Sequence, residues 1–131
     1  MISAHLTMLA AAIIAVEGAN DGHPNGPMQI TPIMLSDYNA HVGRRQRLTA
    51  LECKRIGPSM IVFRWYVRHA CADAKPWQIA CRWNAGRDGD TQLENRAVID
   101  DYANRVENIY LAKVKQDLKY GQQLLAQQET R

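Results

Sequence analysis

The stretch from Ser59 to Ala72, S-M-I-V-F-R-W-Y-V-R-H-A-C-A, sets the expected fold. Its apolar residues fall on most faces of a helix, which is typical of the most buried helix in a small domain. Alternation of apolar and polar residues, the pattern of half-buried strands, is almost absent from the chain. The sequence therefore predicts an all-α fold, with a minimal hairpin as the most β-structure that it allows.

Caps, prolines and glycines divide the rest of the chain into further helices. Residues 18–29 are rich in glycine, proline and asparagine, so we expect a surface loop there. Beyond Gly121 the chain is glutamine-rich, and we divide it into one domain over residues 1–120 and a polar tail over residues 121–131. The other predicted helices run over about Ser3–Glu17, Thr31–His41, a capped piece from Thr49 that Gly57-Pro58 ends, Pro76–Gly86, and Gln92 to past Tyr110, the last with an apolar stripe at Val98, Tyr102, Val106 and Ile109.

Length and composition are those of one ordinary globular domain. The chain has 131 residues, of which 47% are hydrophobic and 22% charged, and this excludes disordered, collagen-like and coiled-coil classes. A net charge of +3 allows an anionic partner, such as an envelope polymer or nucleic acid, without requiring one. The basic residues are scattered along the chain, so nucleic-acid binding is the least favoured function. The basic segment Gly43 to Arg47 is unusual for a substrate groove and also fits a solvated loop.

Three further features are assigned no chemistry. Cys53, Cys71 and Cys81 form no C-x-x-C pair, and we expect buried small hydrophobic residues there. The histidines do not fall at metal-ligand spacings with each other or with the cysteines, so we predict no metal and no cofactor. The apolar run over residues 6–16 follows no Lys or Arg and is too short to span a bilayer. We therefore predict a buried core helix, no convincing signal peptide and no stable membrane insertion.

Glu17 is the first candidate catalytic residue. It ends an apolar helix just before the glycine-rich loop. Acidic side chains favour helix N-termini, because the C-terminal end carries partial negative charge. A carboxyl group at that end suits a general acid, which must carry a proton to give away. A solvated surface glutamate is the alternative, and it is the commoner case for an arbitrary glutamate.

Three more segments combine polar groups with tight turns. N-G-P-M-Q-I at residues 25–30 presents Met28 and Gln29 just before a capped helix; taken alone, these are a core methionine and a loop glutamine. W-N-A-G at residues 83–86 puts Asn84 at a helix end, where a C-cap is the plainer explanation. Tyr102, on the last helix, is most simply a packed tyrosine.

Together the four segments resemble the lysozyme-like domain of soluble lytic transglycosylases and goose-type lysozymes. In that family a helix ends in a catalytic glutamate, and Gly-x-Met-Gln, Tyr-Asn-x-Gly and tyrosine-containing segments follow in order. The corresponding segments here are A-I-I-A-V-E-G, N-G-P-M-Q-I, C-R-W-N-A-G and D-D-Y-A-N-R-V, and they extend from Ile13 to Val106. The resemblance implies a single lysozyme-like domain with a cleft.

The resemblance also implies an activity, cleavage of the β-1,4 bond between N-acetylmuramic acid and N-acetylglucosamine in peptidoglycan. Glu17 would act as the single general acid and base, giving a 1,6-anhydro product. Met28 and Gln29 would line the cleft, with Gln29 bonded to sugar or loop backbone. Trp83 would form an apolar wall, and Asn84 would hold the N-acetyl environment. Tyr102 would direct its hydroxyl toward Glu17 or the acetamido group.

Two departures from the family pattern bear on this implication. Gly18 stands where the family usually has serine, which affects rate more than mechanism, and Trp83 stands in place of tyrosine. A second carboxylate would instead indicate a goose-type hydrolase. Its candidates, Asp21, Asp88 and Asp90, lie in glycine-rich turns. A catalytically inactive peptidoglycan-binding module is a further alternative.

The resemblance finally implies a setting. The proline in N-G-P-M-Q-I looks most like the secretion-system and phage branch of the family, so such an assembly is an expected partner beside the glycan strands. The protein would then act at the cell wall, either in the periplasm or delivered by a virion.

Overall fold

The computed structural model of the chain describes residues 3–18 and 25–129. Within these two ranges the backbone forms α-helices and short 3₁₀ turns, and no strand is present there. The predicted all-α fold is therefore confirmed. The elements are α1 (Ser3–Glu17), α2 (Pro32–His41), 3₁₀ turns at Arg44–Gln46 and Glu52–Lys54, α3 (Ile56–Ala70), α4 (Pro76–Ala85) and α5 (Arg96–Glu129).

Several predicted helix ends are found where the caps place them. The Thr31 hydroxyl accepts a hydrogen bond of 3.3 Å from the backbone N–H of Met34, and Pro32 follows it as the first residue of α2. Pro76 opens α4 in the same way, because proline lacks only a donor that the first turn does not use. At the other end of α4, Gly86 has φ +95°, a conformation that glycine adopts without a steric cost.

The prediction that Gly57-Pro58 interrupts the chain before the central helix was wrong. Both residues lie in the first turn of α3, where a proline is tolerated. The capping box before it does form, since Thr49 N–H donates to the Glu52 carboxylate at 3.0 Å and Glu52 N–H donates to the Thr49 hydroxyl at 3.1 Å. Only the short 3₁₀ turn Glu52–Lys54 follows this cap.

The last helix begins later and ends later than predicted. Residues 92–95 precede it in turn and irregular backbone, and α5 then continues without a break through Gly121 to Glu129. The boundary predicted between residues 120 and 121 therefore falls inside a helix. Almost all residues from 115 to 129 are exposed, in agreement with the polar composition of this segment.

The core forms where α1 and α4 both pack against the first half of α5. Phe63 of α3 is completely buried beside them. Cys53, Cys71 and Cys81 are buried, as predicted, and all three are free thiols. None of the described helices combines the length and the apolar character needed to cross a membrane. The fully buried helix residues of α1, α4 and α5 include Leu9, Ile13, Ile79 and Val106.

Candidate active site

Glu17 and Tyr102 are neighbours in the structure. Glu17 is the last residue of α1 and is half-buried, while Tyr102 lies in the part of α5 that packs against α1. The negative charge of Glu17 acts directly on the Tyr102 hydroxyl. The packing of α1 on α5 thus brings together two of the residues that the sequence singles out.

The Tyr102 hydroxyl is buried beside Glu17. The residue is 8% exposed, and Glu17 is close enough to act on the hydroxyl as a hydrogen-bond partner, although no hydrogen bond of good geometry to this oxygen forms among the described residues. Burial raises the pKa of Tyr102 well above its usual range, and the nearby Glu17 carboxylate raises it further. The hydroxyl therefore keeps its proton and is available as a donor. A buried hydroxyl whose hydrogen bond is poorly aligned is costly.

Gly18 is matched to the tight end of α1. Its N–H donates to the Ile14 carbonyl at 2.7 Å, closing the last turn. A Cβ at this position would lie 2.9 Å from the same carbonyl oxygen, so a serine would force the helix end to shift. The departure from the family pattern at residue 18 therefore has a local steric reason.

The N-G-P-M-Q-I segment forms a closed turn. Gln29 has φ +60°, and both its backbone N–H and its side-chain amide donate to the Gly26 carbonyl, at 3.2 and 2.8 Å. Gly26 packs so closely on the 3₁₀ turn Glu52–Lys54 that a Cβ would meet the Cys53 carbonyl oxygen at 2.6 Å. Of the two partners predicted for Gln29, sugar or loop backbone, the structure shows the loop backbone.

Met28 and Trp83 are joined across the fold. The Trp83 indole N–H donates to the Met28 carbonyl oxygen at 3.0 Å, a buried hydrogen bond that ties the turn to α4. The Met28 side chain is itself completely buried. It has no free surface to offer a sugar, so Met28 supports the site through its backbone carbonyl and its packing, in contrast to its predicted place in the cleft lining.

Trp83 and Asn84 line an open groove of about 870 Å³ between α2 and α4, called the Trp83 groove below. Trp83 is 6% exposed and packs edge-on against Phe63 and Tyr66 of α3, at ring-centre distances of 5.1 and 5.3 Å. Asn84 is exposed at its rim. Glu17 and Tyr102 are not among the residues that line this groove.

Sequence reasoning missed the other walls of the Trp83 groove. Tyr66 lies within the apolar stretch of α3, and burial raises its pKa well above the usual range. The opposite wall comes from α2, including the exposed Ile33. The sequence shows an isoleucine at position 33. That Ile33 of α2 and the residues of α4 line one groove follows only from the packing of the two helices.

The candidates for a second catalytic carboxylate differ in their burial and in their hydrogen bonds. Asp90 is 7% exposed in its side chain and accepts two hydrogen bonds of 3.0 Å from the Arg82 guanidinium, which holds the pKa of the Asp90 carboxyl below its usual range. Asp88 is exposed in the turn after α4. Asp21 lies outside the described residues. Over residues 3–18 and 25–129, no cluster of His, Cys, Asp and Glu is arranged to hold a metal ion.

Comparisons with protein-family models, with curated proteins and with solved structures find no match for this chain.

Proposed function

We propose that this protein is a peptidoglycan lytic transglycosylase that cleaves the bond between N-acetylmuramic acid and N-acetylglucosamine, with Glu17 as its single general acid and base. The observation that carries the proposal is the buried hydroxyl of Tyr102 beside the Glu17 carboxylate. The order of the four sequence motifs supports the same reaction. Because peptidoglycan is the proposed substrate, the protein would act at the cell wall.

Glu17 would perform both proton transfers. As an acid it protonates the glycosidic oxygen while the C1–O bond breaks. As a base it then takes the proton of the muramic acid 6-hydroxyl while that oxygen bonds to C1, so that Glu17 regains its proton and the 1,6-anhydro ring closes. Glu17 is half-buried, so part of the residue is open to solvent while the carboxylate remains close to Tyr102.

Tyr102 would act as a positioning residue for Glu17. Its hydroxyl stays protonated because burial and the Glu17 charge both raise its pKa. A small movement on substrate binding would allow it to donate to the carboxylate or to the acetamido oxygen of the sugar, and catalytic hydrogen bonds commonly tighten in this way. Either bond would satisfy the buried donor.

Of the three candidate second carboxylates, the two that the structure describes favour a single-acid route, and Asp21 lies outside the described residues. A hydrolase of the two-carboxylate kind needs a free second carboxylate about 5 to 9.5 Å from the first. Asp90 is committed to Arg82, and Asp88 lies in an exposed turn beyond α4. A transglycosylase needs no second carboxylate, because the sugar supplies the attacking oxygen.

The Trp83 groove would hold sugar units of the glycan strand away from the cleaved bond, since neither Glu17 nor Tyr102 lines it. Its volume is within the usual range for ligand sites, roughly 300 to 1,000 Å³. Trp83 offers an apolar edge, and Asn84 offers an amide at the rim that can bond an N-acetyl group. Gln29 would keep the loop in place from below through its bonds to Gly26.

The test is mass analysis of the soluble products released from purified peptidoglycan. We expect anhydro-muropeptides from the wild type and none from Glu17→Gln. Glu94→Gln, at an exposed position in the turn before α5, is the matched control and should retain full activity. Circular dichroism would establish that both variants are folded.

The other outcomes separate the alternatives. Products heavier by one water would mean a hydrolase. Binding of peptidoglycan without products from any variant would mean a wall-binding module on this fold. Anhydro products from Glu17→Gln would remove Glu17 from the mechanism. Tyr102→Phe tests the positioning role. We expect a lower kcat with little change in KM where the hydroxyl donates to Glu17, whereas a raised KM as well would mean that it donates to the acetamido oxygen.

A further inference from the structure

A second groove, of about 530 Å³, lies between α2, α3 and the 3₁₀ turn Arg44–Gln46, and three arginines line it. We call it the arginine groove. Arg64 and Arg68 are one turn apart on the same face of α3, and Arg45 comes from the turn that follows α2. His69 adds a fourth basic side chain, and the described lining contains no carboxylate. Arg45, from the basic segment Gly43 to Arg47, thus lines the same groove as Arg64 and Arg68.

The wall that carries Arg45 is fixed to α2. The Tyr38 hydroxyl donates to the Gln46 carbonyl at 2.8 Å. Asn39 bonds the backbone of Leu48 twice, donating to its carbonyl at 2.8 Å and accepting from its N–H at 2.9 Å. These three bonds fix the backbone of the loop that carries Arg45, so this wall of the groove is preformed.

Arg64 provides the observation that points to a ligand. One of its terminal nitrogens donates to the Thr7 hydroxyl at 3.1 Å, which orients the guanidinium. Its Nε is buried and finds no hydrogen-bond partner among the described residues. A buried guanidinium N–H without an acceptor is costly. This atom has no surface open to the groove as the side chain stands, so an anion would bond it only after a small movement of Arg64.

The aromatic floor of the groove has little free surface for stacking. The Trp65 ring stacks on His69 at 5.1 Å and 26°, and Tyr38 and His41 approach it at 5.6 and 5.5 Å. Single-stranded nucleic acids depend on open aromatic faces in addition to charge. The arrangement therefore favours a ligand recognised by its charge alone.

We propose that the arginine groove binds a ligand that carries a diphosphate group. Arginine forks match phosphate oxygens in pairs, and a phosphate offers more charge and more acceptor oxygens than a carboxylate. Three guanidiniums around one cavity exceed what a single phosphate needs, and the volume leaves room for a second phosphate in series. This site is independent of Glu17 and of the proposed cleavage reaction.

The test is a calorimetric titration of the intact chain with pyrophosphate and, separately, with orthophosphate. The salt concentration is about 0.15 M, so that unspecific surface attraction is screened. We expect one pyrophosphate per chain. The double variant Arg45→Gln/Arg68→Gln should bind at least about tenfold more weakly, since each charged hydrogen bond contributes about that factor or more. Both side chains are exposed, so their loss does not threaten folding.

The matched control is Arg55→Gln/Arg105→Gln, which removes the same charge at exposed positions outside the groove. It should bind pyrophosphate like the wild type. In the NMR spectrum, pyrophosphate should shift the Nε–H signal of Arg64, assigned by its absence in Arg64→Lys. The proposal is overturned by no binding to the wild type, by equal losses in both double variants, by equal affinity for orthophosphate, or by tighter binding of a single-stranded oligonucleotide.

Discussion

The two halves of α5 differ in what holds them in place. Residues 96–110 contain every buried residue of this helix and pack against α1 and α4. In residues 115–129 every residue except Gly121 is exposed, so backbone hydrogen bonds and side-chain pairs of the helix itself hold this half. Isolated helices of about this length are marginal in water. The comparison shows that the site belongs to the packed half, because Tyr102 meets Glu17 only where α5 is fixed against α1.

The largest difference between the halves should appear in stability. Ile99 in the packed half is 2% exposed, and Ile99→Ala should lower the free energy of unfolding by about 2–5 kcal/mol, through lost burial and the cavity left behind. Leu118 is 63% exposed, and Leu118→Ala should change it by less than about 0.5 kcal/mol. Urea unfolding of both variants measures the two values. Equal losses would mean that residues 115–129 are packed against something in solution.

The next effect is a dependence on alkaline pH that arises from the packed half. Burial and Glu17 raise the pKa of Tyr102, so above about pH 10 the unfolded chain loses this proton while the folded chain keeps it. Stability is therefore complete below that pH and falls as the pH rises, by up to about 1.4 kcal/mol per pH unit from this residue. Tyr102→Phe should flatten the fall measured by denaturant unfolding at a series of pH values.

The control for this measurement is in the exposed half of α5. Tyr120 is 61% exposed, and Tyr120→Phe replaces the same group at that position. It should leave the alkaline slope as it is in the wild type. If Tyr120→Phe flattens the slope as much as Tyr102→Phe does, the buried hydroxyl is not its source.

Helix α5 also shows which structural features could be predicted from the sequence and which could not. Tyr102 and Val106 were predicted to lie on its apolar face and are buried, whereas Val98, from the same stripe, is 67% exposed, and Ile99 takes the inner position. A period of 3.6 residues indicates a face, but its exact orientation depends on which neighbour covers it. The continuation past Gly121 was not predicted, because glycine and glutamine patterns do not distinguish an exposed helix from an irregular tail.

The candidate site shows the same division between local and long-range information. Caps and tight turns are local, so the ends of α1 and α2 and the turn before Ile30 were predictable from the sequence. The Met28–Trp83 bond joins residues 55 positions apart. The arginine groove likewise combines Arg45 with Arg64 and Arg68 of another helix. Such pairs depend on how the helices pack, and one sequence without contacts does not specify that packing.

Within the exposed half, Gly121→Ala should have a small and local effect. Glycine inside a helix costs roughly 0.8–1.0 kcal/mol relative to alanine, and nothing lies within 4 Å of a Cβ added at Gly121. The variant should slow hydrogen exchange in residues 115–129 by up to about fivefold, in line with that energy. Exchange in residues 96–110 should not change. A slower rate in both regions would mean that the two halves unfold together.

The smallest effect on global stability should come from removing residues 115–131. The shortened chain keeps every buried residue of α5, and with them the contacts to α1 and α4. We therefore expect the free energy of unfolding to change by less than about 0.5 kcal/mol, as for surface changes in general. The loss of helical circular dichroism should correspond to the removed residues alone. Because Glu17, Tyr102 and the Trp83 groove are untouched, product formation from peptidoglycan should persist. A shortened chain that unfolds more easily would instead show that residues 115–129 help to hold the packed half, and with it the position of Tyr102.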